Sequence, residues 1–284
     1  MPLESQIIDW IRKRVRPASG VLVGIGDDAA VVEAGANSQL IACCDLMVEG
    51  VHFRSDWSPP SSVGYKALAA TISDVAAMGG IPRFALISIA VRPGLPDAFV
   101  AELLDGVLDA AREYQVALVG GDTSASPDSV FLDVMVLGEC RRGMSVKRSG
   151  ATPGDIVLVT GALGGSQLGL ALLRNGVRLD SVVSESQMEA LGRHLQPEPR
   201  VRIGRAIGEA GLATAMIDIS DGLSTDLIHV IEESSCGATL RADAIPIAHC
   251  ASELAPALGL DPLVLALHGG EEYELLFTAS PEKV

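Results

Sequence analysis

Apolar positions along this chain recur in short blocks whose period switches between two, as in strands, and about 3.6, as in helices. Ile7–Val15 reads as a short amphipathic helix, followed by extended segments at Val21–Ile25, Ala29–Glu33 and Gln39–Leu46. Pro59 and Pro60 open a long helical run from Ser61 to Met78, which Gly79-Gly80 closes as a C-cap. Phe84–Val91 predicts a strand, Asp97–Tyr114 a helix, Ala117–Val119 a short strand and Val130–Leu137 another strand. The basic, polar stretch Arg141–Asp155, with Gly143, Gly150, Pro153 and Gly154, predicts a linker.

Beyond it the pattern restarts. Strands are expected at Ile156–Thr160, Ala215–Ile219, Ala238–Ala242 and Tyr273–Thr278, and helices at Ser166–Asn175, Pro199–Ala210 and Ser224–Ser234. Strands and helices mix in both halves, which predicts two α/β or α+β domains, residues 1–146 and 147–284.

Composition narrows the class. Nearly half of the 284 residues are apolar, yet only two Trp, three Tyr and five Phe are present, so the cores must be built from Ala, Val, Leu and Ile. A net charge of -15 disfavours nucleic acid and anionic membranes as partners. The five cysteines form neither a disulfide framework nor a CxxC metal spacing, as expected of a reducing compartment. No stretch reaches the ~18 apolar residues of a membrane span, and the charged N-terminus lacks the pattern of a secretory signal. A cytoplasmic protein is expected.

The candidate chemistry lies in the placement of aspartate. Gly26-Asp27-Asp28-Ala29, Cys44-Asp45, Ser73-Asp74, Gly121-Asp122-Thr123 and Asp218-Ile-Ser-Asp221-Gly222 put carboxylates among small residues at the ends of apolar segments. Any one of them fits a turn or an N-cap. If several converge, two like charges ~4 Å apart repel by about 4 kcal/mol at an effective dielectric of ~20. Such a group demands protons or a hard cation, of which Mg²⁺ is the usual one for oxygen ligands. A metal–nucleotide site follows, although the usual cradles are missing. Gly161-Ala-Leu-Gly-Gly-Ser-Gln167 lacks the P-loop lysine, and Gly24-Ile-Gly26 runs into Asp27-Asp28. The Gly161–Gly165 turn could either place a helix N-terminus at a phosphate or pack a strand closely on a helix.

These strings also carry a resemblance. Gly24-Ile-Gly-Asp-Asp-Ala-Ala-Val31, Asp45-Leu-Met-Val-Glu-Gly-Val-His-Phe53, Lys66-Ala-Leu-Ala, Ser73-Asp-Val-Ala-Ala-Met-Gly79, Gly120-Gly-Asp-Thr123, Ile217-Asp-Ile-Ser-Asp-Gly-Leu223 and Gly269-Gly-Glu-Glu-Tyr-Glu-Leu-Leu-Phe277 occur in the order typical of the thiamine-monophosphate kinase family. The resemblance implies the two-domain aminoimidazole ribonucleotide synthetase-like (PurM-like) fold, with N-terminal strands joining a partner's in a homodimer barrel. It implies ATP and Mg²⁺ acting on thiamine monophosphate by direct in-line transfer, without a nucleophilic side chain. Carried over motif by motif, it makes Asp28, Asp45, Asp74, Asp122, Asp218 and Asp221 magnesium ligands, with Cys44 at a position usually held by threonine. Tyr114, Gly121, Asp122, Arg148 and Ser220 align with nucleotide-contacting positions, and His52 and Glu271 with substrate-contacting ones. Glu272 replaces a more usual aspartate, and Lys66 reads as a helix-surface charge. The family's C-terminal domain usually continues past the final strand with an aromatic residue for the thiamine moiety, so the domain is expected to extend beyond Val284.

Two other readings stay open. The same fold serves other ATP-dependent acceptors, as in aminoimidazole ribonucleotide synthetase, selenophosphate synthetase and a hydrogenase-maturation relative. The selenium enzyme's N-terminal Cys or Sec has no counterpart before Cys43, and Glu49-Gly-Val-His-Phe53 stands where the purine enzyme has a DGVGTK-like string. A non-catalytic metal–nucleotide binding protein is the other alternative.

Overall fold

One helix, buried on almost every side, organises the chain. The computed structural model describes residues 21–23, 27–28, 30–34, 37–96 and 98–284. The expected helix Ile7–Val15, Gly24-Ile25-Gly26, Ala29 and Asp97 lie outside them. Helix α1 spans Pro60–Ala77, with Pro60 at the first turn, where its missing N–H is no loss. Every residue of α1 except Pro60, Ser61 and Asp74 is buried. A helix enclosed in this way shows no polar stripe, which explains its run of Ala, Ser and Gly.

On one side of α1 lies a sheet of β1 (Val21–Val23), β2 (Ala30–Ala34), β3 (Ser38–Val48), β4 (Ile81–Val91), β5 (Ala117–Ala125) and β6 (Phe131–Arg141). Their order is β1-β2-β3-β6-β4-β5. All neighbours are antiparallel except β4 and β5, which helix α2 (Phe99–Glu113) connects in parallel. Ile41, Cys43, Met47, Ile87, Val134 and Val136 point inward to α1 and α2. The opposite face of the sheet is open, exposing Leu46, Phe84 and Met135.

The second half carries a smaller antiparallel sheet, β7 (Ile156–Val159), β9 (Leu275–Ala279) and β8 (Ala215–Asp218), in the order β7-β9-β8. Around it stand α3 (Gly165–Arg174), α4 (Glu185–Leu195), α5 (Val201–Glu209), α6 (Leu223–Ser234), α7 (His249–Leu254) and α8 (Pro262–His268). Ala76 and Ala77 of α1 share an apolar cluster with Val146, Ile207, Met216 and Leu275, so α1 belongs to both halves. The linker is pinned at the same seam: Val146 N–H donates to Met78 O at 3.1 Å, and Lys147 O accepts from Met216 N–H at 2.9 Å.

Two expectations need correction, and three helices were not expected. Ala238–Ala242 is not a strand; among the described residues no strand pairs with it, and its last residue opens a short 3₁₀ turn at Ala242–Ala244. The short strand at Ala117–Val119 extends to Ala125, because parallel pairing with β4 carries it through Gly120 and Gly121. Helices α4, α7 and α8 had no counterpart in the sequence reading, although the Ser184 side chain caps α4 at Gln187 N–H and Asp261 caps α8 at Leu263 N–H.

Close helix crossings account for two glycines. A Cβ on Gly64 would stand 1.9 Å from Leu103 O, and one on Gly106 would stand 1.8 Å from Ser61 O. Both obstacles are backbone, so neither can swing aside. Gly64→Ala and Gly106→Ala are each expected to lower stability by about 1–3 kcal/mol, read as a lower urea midpoint at unchanged slope. Gly192→Ala, with open space around its Cβ, should leave the midpoint unchanged or raise it.

Candidate active site

The seam between the halves opens into a cavity of about 690 Å³. Its walls come from β3 and the loop after it, from α1, from α3 and α4, and from the segments after β8 and before β9. At one end the carboxylates of Asp28, Asp74 and Asp218 offer oxygens within 4.8 Å of one another. Each arrives on a different element. Asp28 precedes β2, Asp74 sits in the last turn of α1, and Asp218 ends β8. Asp45 joins them from β3, where alternation turns it to the same face as Cys43 and Met47.

This grouping strains the ionised state. Burial, together with Asp45, Asp218 and Asp28, pushes Asp74 well above the usual carboxylate range. Burial and Asp28 do the same to Asp218, against a 2.7 Å hydrogen bond donated by Ser73 Oγ. Burial raises Asp45, and Asp28 adds to the shift. Burial raises Asp28 too, opposed by the Arg148 guanidinium, which contacts its Oδ1. Arg148 main-chain N–H donates to Asp27 Oδ1 at 3.0 Å, while burial and Asp28 lift Asp27 to about 6. Asp28 Oδ2 is buried and has no hydrogen-bond partner among the described residues. An all-oxygen donor set carrying an unpaired buried oxygen fits a hard divalent cation such as Mg²⁺.

Beside this group, Asp221, Asp226 and His229 approach one another. Asp226 has a structural task, since its Oδ2 accepts the N–H groups of Asp221 and Gly222 at 3.1 and 3.0 Å. Burial and Asp221 raise it to about 7.

The other end of the cavity is cationic and aromatic. Lys66 Nζ lies 2.7 Å from Glu271 Oε1, and His194 Nδ1 lies 3.3 Å from Glu271 Oε2. Lys66 is only 4% exposed, so it is not the helix-surface charge expected from the sequence; the charge it pairs with lies more than 200 residues downstream, beyond any local pattern. His52 lines the wall, with Nδ1 accepting from Val48 N–H at 3.0 Å. Trp57 lines it too, under the Arg54 guanidinium at 4.5 Å.

Other candidates lie elsewhere. Cys44 borders the cavity, but its side chain points to the open face of the sheet, away from Asp45. A ligand from this residue would be its main-chain carbonyl. Asp122 is on that open face as well, in the register row Leu46–Asp133–Ser88–Asp122, and among the described residues it is not in the group that Asp28, Asp74 and Asp218 form. Gly121, next to it, permits close pairing, since a Cβ would stand 1.8 Å from Ile87 O. Tyr114 caps the C-terminus of α2 and lies outside the cavity. Ser220 does line it, and its carbonyl accepts from Glu271 N–H at 2.7 Å.

The glycine turn before α3 has a role that neither expectation named. Glu272 Oε1 accepts from Gly164 N–H at 2.8 Å and Ser166 N–H at 3.1 Å, so the protein's own carboxylate occupies that helix N-terminus. Burial raises Glu272 to about 7 despite these bonds.

Comparison with known proteins defines first the class. The AIR synthase related protein N-terminal domain matches residues 26–140, and the C-terminal domain of the same family matches residues 152–284. The thiamine-monophosphate kinase of Bacillus subtilis is 41% identical over 280 residues, covering 99% of this chain and 84% of that protein. That of Mycobacterium tuberculosis is 38% identical, covering 96% and 79%. The structure of AaThiL complexed with AMPPCP and TMP superposes with a TM-score of 0.90 at 34% identity, covering 99% of this chain and 86% of that one. The hydrogenase maturation protein HypE in complex with ATP shares the fold, at a TM-score of 0.70 and 22% identity, covering 100% and 80%. The chain belongs to the thiamine-monophosphate kinase family.

The raised carboxylates set a pH dependence. Asp27 near 6 and Asp226 and Glu272 near 7 hold protons in the folded state that the unfolded chain has already released. Stability is therefore full below about pH 4 as far as these groups are concerned, and declines as pH rises through 6 to 7. In EDTA the protein should be several kcal/mol less stable at pH 8 than at pH 5, at about 1.4 kcal/mol for each unit by which a folded-state value exceeds 5. Added Mg²⁺ should recover the share of the loss that arises beside Asp28 but not the share of Glu272, which is held at the N-terminus of α3. A metal-free stability that rises steadily from pH 5 to pH 8 would contradict the assignment.

Proposed function

We propose that this chain transfers the γ-phosphoryl group of ATP to thiamine monophosphate, giving ADP and thiamine diphosphate. The observation that carries the reading is the meeting of Asp28, Asp74 and Asp218 at one end of a cavity whose other end presents Glu271, His52 and Trp57. Its support in relatives is the 41% identity to a thiamine-monophosphate kinase and the likeness to a structure holding AMPPCP and TMP.

In this reading Asp28, Asp45, Asp74, Asp218 and Asp221 hold Mg²⁺, joined by the carbonyl of Cys44. Mg²⁺ held there would supply charge neutralisation to the phosphate oxygens. Arg148, already against Asp28, is placed to turn its planar fork to a phosphate. Ser220 lies beside the nucleotide's phosphates, and His52 and Glu271 address the organic part of the acceptor. No side chain is assigned as a nucleophile, because positioning and charge suffice for direct transfer.

Tyr114, Gly121 and Asp122 are read as nucleotide and metal contacts completed by a second copy of the chain. Every residue of β5 is exposed, and the open sheet face shows Leu46, Phe84 and Met135. A homodimer formed on that face would cover them and bring Asp122 toward the partner's carboxylates. The domain division at residues 146 and 147 and a cytoplasmic location complete the proposal. All five cysteines are free, and no helix among the described residues is long and apolar enough to cross a membrane.

The test is product formation from ATP and thiamine monophosphate, followed by chromatography with an EDTA control. Magnesium-dependent thiamine diphosphate is expected, with kcat reduced at least about 100-fold in Asp74→Asn and Asp218→Asn. Wild-type turnover in both variants would sink the site assignment; turnover on another phosphate acceptor alone would replace the substrate. Mixing inactive Asp74→Asn with inactive Asp122→Asn should restore part of the activity through hybrid dimers. A chain that stays monomeric at micromolar concentration would remove the dimer reading.

A further inference from the structure

Lys66 is the one buried lysine of α1, and it crosses the seam to reach Glu271 Oε1 at 2.7 Å. Lysine is rarely buried unless paired. The pair is not simply a clasp between the halves, because the Glu271 side chain remains 25% exposed and lines the cavity.

The backbone around Glu271 is held under constraint. Glu271 has φ +59° and Tyr273 has φ +52°, in the left-handed region that non-glycine residues seldom occupy. Glu271 N–H donates to Ser220 O at 2.7 Å and Tyr273 N–H to Ile219 O at 2.9 Å, tying this loop to the segment between Asp218 and Asp221. A Cβ on Gly270 would meet Ser220 O at 2.6 Å, so the approach is as close as glycine allows.

The second oxygen of Glu271 faces His194 Nδ1 at 3.3 Å, and Ser166 Oγ lies 3.2 Å from the same nitrogen. Burial, with Lys66 and Arg174 nearby, keeps this imidazole neutral. The cation paired with Glu271 is therefore Lys66, whose ammonium burial disfavours and the Glu271 carboxylate supports. Residues 66, 70 and 74 share one face of α1, and Ala70 lines the cavity between its two ends. Lys66 and Asp74 are eight residues apart, about 12 Å along the axis.

We propose that Lys66 is a positioning residue that fixes the Glu271 carboxylate at the organic end of the cavity, so that α1 sets its distance from the phosphoryl-transfer end. The inference rests on the function proposed above. It assigns Lys66 no contact with substrate; it acts through Glu271.

Steady-state kinetics of Lys66→Met, Glu271→Gln and the double variant test it, alongside urea unfolding of each. Losing a charge-assisted bond should raise KM for thiamine monophosphate about tenfold or more in Lys66→Met, with KM for ATP within about twofold. The double variant should be no worse than Glu271→Gln alone, because Lys66 has nothing left to position. If Lys66→Met fails to fold with Glu271 left unpaired, the comparison of Glu271→Gln with the charge-free double variant still decides. A further tenfold rise in the double variant, or an equal rise in KM for ATP, overturns the inference while leaving the kinase reading intact. No turnover in the unaltered protein overturns that reading and this inference with it.

Discussion

Mutual repulsion among buried carboxylates is the constraint to which the rest of this structure answers. Asp28, Asp45, Asp74 and Asp218 come from four separate elements, and none of the last three has a cation of its own among the bonds the fold makes. Arg148 contacts Asp28, leaving the others to share protons or an added cation. Two such charges ~4 Å apart repel by about 4 kcal/mol at an effective dielectric of ~20. The fold holds them together through backbone elements that are committed elsewhere. Helix α1 is locked by Gly64 and Gly106 against α2 and by Gly204 against Ala76, and β8 is locked by its ladder with β9. The site cannot relax by moving apart, which leaves protonation or cation binding as the release.

The same rigidity explains the polarity of the cavity. One face of α1 carries Asp74 toward one end and Lys66 toward the other. Like charges collect where a cation can enter, and an opposite-charge pair closes the end where an organic group would be held. A strongly acidic chain thereby accommodates anionic substrates without a basic surface, because the charge reversal is confined to the site.

Much of this was legible in the sequence, for identifiable reasons. The boundaries of α1, β3 and β8 followed from periodicity and from Pro60 and Gly79, whose backbone preferences are local. Aspartates flanked by small residues pointed to convergence; Asp28, Asp74 and Asp218 do meet and Asp45 lines the same cavity, whereas Asp122 lies on the opposite face of the sheet. What could not be read depends on partners distant in sequence. The pairing of Lys66 with Glu271 is invisible locally, as is the parallel ladder that carries β5 through two glycines. Cys44 shows the limit of reading a motif as a string: it neighbours Asp45 in sequence, yet strand alternation sends their side chains to opposite faces of the sheet.

The glycine turn before α3 makes the same point about chemistry. A turn of this composition followed by a helix is a common phosphate cradle, with the N-terminal N–H groups as donors. Here Glu272 takes those donors from inside the protein, and it lies immediately after Glu271. The carboxylate that caps α3 and the one that faces the cavity are thus fixed by a single strained loop. With that helix terminus filled, the proposed reading draws positive charge for a phosphate from Arg148 and from cations held by the aspartates. In the proposed reading the missing P-loop and the abundance of carboxylates are linked: where the backbone offers no phosphate cradle, buried acid groups would hold the metal that neutralises phosphate.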